Sequence, residues 1–89
     1  MAEPWRIAYT KQAQKDAGNV SRNGLQARAN ALLETLQSDP FMTPPPYEKL
    51  SGDMADAYSR RINLQHRLVY EIFVEERVVK IISMWNHYE

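Results

Sequence analysis

After a short alternating start, the apolar positions of this chain follow a helical period to about residue 37 and a strand period from about residue 58. Trp5-Arg6-Ile7-Ala8-Tyr9 alternates bulky apolar with smaller or polar side chains and predicts a short strand. Thr10 follows, and its hydroxyl can satisfy a free backbone N–H at the start of a helix through Lys11 to Ala17. Gly18 weakens that helix, and Asn23-Gly24 stops it, since both residues tolerate left-handed backbone. From Leu25 to Gln37, Leu25, Ala29, Leu32, Leu33 and Leu36 recur at helical spacing, with Arg28, Asn30, Glu34 and Gln37 mostly on the other side. This second helix ends before Ser38-Asp39-Pro40, where proline forbids continuation.

Thr43-Pro44-Pro45-Pro46 predicts a stiff, extended connector from the helices to a sheet, and it sets the position of Glu48. Without a flanking arginine it is a poor SH3-type ligand. Beyond it the period is two. Tyr58 to Asn63 alternates, and Arg67 to Val74 puts Leu68, Tyr70, Ile72 and Val74 on one face and Arg67, Val69, Glu71 and Phe73 on the other. Val78 to Trp85 is β-branched and apolar, suited to a central strand. Asn63 to His66 reads as a turn and Glu75-Glu76 as a hairpin tip. Helices followed by a meander predict an α+β fold: two N-terminal helices on one face of an antiparallel sheet of about four strands, in the order β-α-α-β-β-β.

Register arithmetic then points at chemistry. A hairpin centred between Glu75 and Glu76 pairs residues whose numbers sum to about 151, so Arg67 falls opposite Met84 and Leu64 opposite His87. A turn centred near Leu64-Gln65 sets Arg67 across from Ile62, beside Arg61. Arg61, Arg67 and the near-terminal His87-Tyr88 thereby meet at one end of the sheet.

Composition narrows the class. Eighty-nine residues make one small domain, 1–89, with one modest core. At 44% hydrophobic and 25% charged, the chain is of ordinary globular make-up, against disorder and repeats. No apolar run reaches the roughly 18 residues of a membrane span, and the first residues lack a signal-peptide layout. The lack of cysteine excludes disulfides and thiolate metal sites and fits a reducing cytoplasm. Eleven basic residues balance eleven acidic ones, so bulk charge announces no nucleic-acid partner. Distribution does: from Arg60 to Arg67 there are three arginines, one histidine and no acid. Such a patch in a neutral chain suits a few phosphates more than a long duplex.

Taken singly, these residues have ordinary readings. Glu48 beside Lys49 is a solvated loop charge, Arg60 and Arg61 are strand-edge charges near Asp53 and Asp56, and Arg67 pairs with an acid such as Glu71. His66 is a turn residue, His87-Tyr88 a tail, and Trp5, Tyr70, Phe73 and Trp85 are packing residues. Their order and convergence favour a site.

In sequence, Tyr58-Ser59-Arg60-Arg61-Ile62, then His66-Arg67-Leu68-Val69-Tyr70, then terminal His87-Tyr88 resembles the YoeB/Txe group of the RelE-like toxins of bacterial type II toxin–antitoxin pairs. The resemblance spans nearly the whole chain, Pro40-Phe41 and Tyr47-Glu48-Lys49-Leu50 included. It implies a ribosome-dependent mRNA endonuclease acting in the A site. It carries the catalytic glutamate onto Glu48, by ungapped count back from Ser59, the catalytic arginine onto Arg67, and the His-Tyr pair onto His87 and Tyr88. Arg61 and Arg60 match basic positions associated with holding the RNA backbone. Ser51 stands where the family pattern has another basic residue, with Lys49 or Arg60 as substitutes, and Glu89 extends past the usual terminal tyrosine. The implied partners are the ribosome with its mRNA and a small, partly disordered, DNA-binding antitoxin, through which alone operator DNA is reached. A homodimer is compatible with the resemblance; a membrane, a cofactor and a metal are not part of it.

The chemistry stands on physical grounds too. RNA carries its own nucleophile, the 2′-hydroxyl. Cleavage needs a base for that proton, an acid for the departing 5′-oxygen, and cations for the phosphorane charge. Glu48 suits the base, His87 the acid, and Arg67 can fork onto two phosphate oxygens. Tyr88 can stack on a base or position the scissile group. The competing reading is a non-catalytic partner of the same fold, acting as corepressor with an antitoxin in a DNA-binding complex.

Overall fold

The computed structural model describes residues 3–50, 52 and 56–85. Its elements are β1 (Arg6–Tyr9), α1 (Lys11–Arg22), α2 (Gln26–Ser38), β2 (Glu48–Lys49), β3 (Ala57–Arg61), β4 (Arg67–Phe73) and β5 (Val78–Ser83). Two helices lie against a five-stranded sheet ordered β1-β5-β4-β3-β2. The α+β architecture and the helix pair agree with the sequence reading. The sheet is mixed, however, because β1 runs parallel to β5 while the other pairs are antiparallel. Alternation reveals a strand but not its distant partner, and β1 and β5 stand at opposite ends of the chain. The fifth strand, β2, has two residues, too short for any period to reveal.

Thr10 joins three elements. Its backbone N–H donates to Ile81, its Oγ1 accepts from Ala13 N–H at 3.0 Å, and its hydroxyl donates to the Ile82 carbonyl at 2.8 Å. One residue therefore ends β1, caps α1 and ties both to β5. The helix runs through Gly18 to Arg22 and stops at Asn23-Gly24 as expected, with Ala13, Asp16 and Val20 buried on its inner face. Gly24, at φ +74°, takes the left-handed turn that leads into α2.

The core lies between the helices and one sheet face: Trp5, Ala13, Val20, Ala29, Leu32, Leu36, Leu68, Tyr70, Val79 and Ile81. Phe73 departs from the packing role expected of it and is 40% exposed, since it sits at the hairpin end of β4 on the face away from the helices. Arg77 turns that hairpin at φ +53°, with its guanidinium 4.7 Å over the Trp5 ring. Among the described residues, no helix is long and apolar enough to cross a membrane.

Candidate active site

The sheet face away from the helices carries the candidate site. Cross-strand partners run Glu48↔Ser59 and Ser59↔Val69, then Val69↔Ser83, and one pleat further along, Arg61↔Arg67. Glu48, Ser59, Arg61 and Arg67 therefore share one face by alternation. Arg67 Nη1 donates to Glu48 Oε2 and to Ser59 Oγ, both at 3.2 Å. A cleft of about 100 Å³ opens here, lined by Pro45, Pro46, Glu48, Ser59, Arg61 and Arg67. Glu48 is 63% exposed and Arg67 20%, so the pair is half open to an incoming ligand. Arg67 thus pairs with Glu48 across two strands and not with Glu71.

Register differs from expectation by one step in two places. Arg67 lies opposite Arg61, not Ile62, because the β3–β4 turn holds five residues, 62–66, one more than the expected four. Between β4 and β5 the pairs sum to 151 from Phe73↔Val78 to Tyr70↔Ile81, and then the register shifts so that Val69 faces Ser83. The irregularity leaves Ile82 as the extra residue, whose carbonyl Thr10 takes. Extrapolating the hairpin to Met84 therefore misses by one.

Arg60 is not on this face. It is 1% exposed, on the helix side of β3, so the expectation that it touches an RNA backbone is corrected. Its Nε donates to the Tyr70 hydroxyl at 2.9 Å, its Nη2 to the carbonyls of Pro40 and Met42, and its Nη1 to that of Pro45. The Tyr47 ring lies 4.9 Å from the guanidinium carbon. Burial pushes the Tyr70 phenol up, while the hydrogen bond and charge of Arg60 act the other way. The proline segment is likewise no straight strut: the chain bends at Pro44 and Pro45, each preceded by a cis peptide bond. Lys49 pairs with Tyr58, one step out of phase with Glu48, and is exposed.

Two groups hold the C-terminal approach to the site: Asp16, which sequence reading passed over, and His66, read there as a turn residue. Asp16, 2% exposed, accepts from Met84 N–H at 3.0 Å and from Gln12 Nε2 at 2.8 Å. A signal existed: Asp16 falls on the stripe Ala13-Ala17-Val20, where a carboxylate must find a donor. His66 is buried and stacks on Trp85, ring centroids 3.6 Å apart and 13° from parallel. Its backbone N–H donates to Asn63 Oδ1 at 2.7 Å, which shapes the turn before Arg67. Trp85 thus leaves β5 beside the residue that precedes Arg67. His87 and Tyr88 lie outside the described residues, as do Ser51, Asp53 and Glu89. Among the described residues, no three His, Asp or Glu side chains gather as metal ligands.

Comparison with known proteins agrees with this arrangement. The model of a family described as YoeB-like toxin of bacterial type II toxin-antitoxin system matches residues 9–88. The toxin YoeB of Synechocystis is 36% identical over 86 residues, 94% of this chain and 98% of its own. A YoeB/ParE toxin from Agrobacterium tumefaciens superposes with a TM-score of 0.84 at 28% identity, covering 93% of this chain and 99% of its own. YoeB of Staphylococcus aureus, 31% identical, has been solved as a dimer (TM-score 0.80, 98% and 100% covered) and in a YoeB-YefM complex (0.78, 94% and 98%). With the family model spanning nearly the whole chain and a relative over a third identical along it, the chain belongs to the YoeB-like toxins of bacterial type II toxin–antitoxin systems.

Proposed function

We propose that this toxin, one domain over 1–89, is an endoribonuclease that cleaves mRNA in the ribosomal A site and so halts translation. The observation that carries the reading is the Arg67–Glu48 pair on the sheet face away from the helices, with Arg61 directly across from Arg67. A carboxylate held by a guanidinium is a base and a phosphate ligand side by side. Glu48 takes the proton of the 2′-hydroxyl, whose oxygen forms the new bond to phosphorus. Arg67 and Arg61 bind the nonbridging oxygens as negative charge grows on them. The bond from phosphorus to the 5′-oxygen breaks, and His87 supplies the proton to that oxygen. Tyr88 orients the scissile group. The products are a 2′,3′-cyclic phosphate and a 5′-hydroxyl. The anchoring of Trp85 on His66 supports the roles of His87 and Tyr88, since only Asn86 separates Trp85 from His87.

Zero net charge favours dependence on the ribosome, because a free ribonuclease needs more basic surface to gather substrate. The reaction belongs in the cytoplasm. A cognate antitoxin restrains it, as the S. aureus YoeB-YefM complex suggests, and reaches operator DNA on the pair's behalf; the S. aureus YoeB dimer makes a homodimer part of the proposal. The test is incubation with programmed ribosomes and mapping of the cut ends. A-site cuts with a 5′-hydroxyl are expected, with feeble cutting of naked RNA. A 3′-hydroxyl with a 5′-phosphate would rule out the intramolecular route. Ribosomes left intact, with harmless induction in cells, would hand the case to the corepressor reading.

A further inference from the structure

We propose that Arg60 is a positioning residue for this reaction: it gathers the carbonyls of Pro40, Met42 and Pro45 so that the segment leading to β2 delivers Glu48 to Arg67. The inference rests on the nuclease reading above. Glu48 has little of its own to hold it, being exposed, on a strand of two residues, at the sheet's edge. What leads into it is held firmly. Four N–H groups of the Arg60 guanidinium are engaged, three of them by carbonyls spread over residues 40–45. Tyr47, the residue immediately before Glu48, lies against the same guanidinium and packs edge-on to Tyr58.

All the hydrogen-bond acceptors around this buried charge are neutral, so it organises a backbone course and not an ion pair. Burying a guanidinium is costly unless its donors are satisfied, which ties the loop's path to Arg60 and Arg60's burial to the loop. Pro45, whose carbonyl Arg60 holds, also lines the cleft with Pro46. Arg60 therefore sets the base from behind the sheet. A lysine carries its three donors on a single atom and cannot span these acceptors.

A double-mutant cycle separates positioning from general support. Single-turnover cleavage on programmed ribosomes is measured for wild type, Arg60→Lys, Glu48→Ala and the double variant. Arg60→Lys is expected to lose roughly 10- to 100-fold in rate, as for a misplaced catalytic group. In the chain lacking Glu48 the same change should cost less than about twofold, because its route of action is gone. Equal losses in both backgrounds would overturn the inference and leave the nuclease reading intact. Wild type and Glu48→Ala cutting at one rate, or no cutting by either, would overturn that reading and this one with it. Tyr70→Phe removes only the hydroxyl that receives the Arg60 Nε–H and keeps the ring, so it runs through the same cycle. Its loss, about threefold, should vanish without Glu48; a loss that persists there, or no loss at all, counts against positioning even should Arg60→Lys fail to fold.

Discussion

Arg61 and Arg67 are direct cross-strand partners on β3 and β4, two cations on one face, with the Glu48 carboxylate bound to Arg67. Like charges directly opposite on a sheet are unfavourable. An anion with several oxygens between them reverses the sign, because each guanidinium then gains charge-assisted hydrogen bonds. The unliganded sheet is therefore less stable at this point than a neutral pair would make it, which is the arrangement an anion site requires.

Arg61→Gln should for that reason leave stability unchanged or raise it by up to about 0.5 kcal/mol, while weakening RNA engagement. Cleavage at subsaturating ribosome should fall about tenfold, as when one charge-assisted contact is lost, and its dependence on salt should flatten. Urea unfolding beside a salt series of cleavage rates checks both halves. A clearly destabilised Arg61→Gln would mean the side chain serves the fold.

Glu48→Gln separates activity from stability more sharply. The Arg67–Glu48 pair is half exposed, and such pairs contribute less than about 1 kcal/mol, so unfolding should barely move. The rate on programmed ribosomes should drop about 100-fold or more, the usual contribution of a general base. Parallel loss of folding and activity would make Glu48 a structural residue.

Much of this was legible in the chain, and the gaps have physical causes. Thr10, Asn23-Gly24 and Pro40 punctuate the helices through local hydrogen bonding and backbone geometry, which neighbouring residues alone decide. The β4–β5 register held from Phe73 to Tyr70 because a tight hairpin sets it, and it failed at Val69, where the bulge answers to Thr10, 72 residues from Ile82. Arg60 and Arg61 are neighbours with opposite fates. Alternation says that one of them must face inward, and Arg60 shares the pleat of Tyr58, Leu68 and Tyr70, so parity could have assigned it. Its carbonyl partners could not have been foreseen, since they belong to an irregular segment that no period describes.

Asp16 gives a prediction about the tail's foundation. Its two carboxylate oxygens serve two donors, Met84 N–H and Gln12 Nε2. Asp16→Asn keeps one acceptor and should cost about 1–2 kcal/mol, while Asp16→Ala leaves the buried Met84 N–H without an acceptor and should cost up to about 3 kcal/mol. Thermal melts of both variants check the order. An unchanged midpoint in Asp16→Ala would show that the strand end needs no such anchor.

Tyr70 gives the pH dependence. Burial raises its phenol above the ordinary 10.0, and the Arg60 hydrogen bond and charge offset only part of that. The folded chain therefore holds this proton to higher pH than the unfolded chain does. The associated stability is complete below the unfolded value and is lost as pH rises through the folded one. Burial raises Tyr9 as well, so two groups share the alkaline slope. In Tyr70→Phe the decline in unfolding free energy above about pH 10 should be shallower than in wild type, with the Tyr9 share remaining. At neutral pH the same variant should be weaker by about 1 kcal/mol, because the Arg60 Nε–H loses its acceptor. The two stability curves should consequently converge as pH rises. Urea titrations at a series of pH values measure this directly, and curves that stay parallel across the alkaline range would mean that Tyr70 does not hold its proton through burial behind the site.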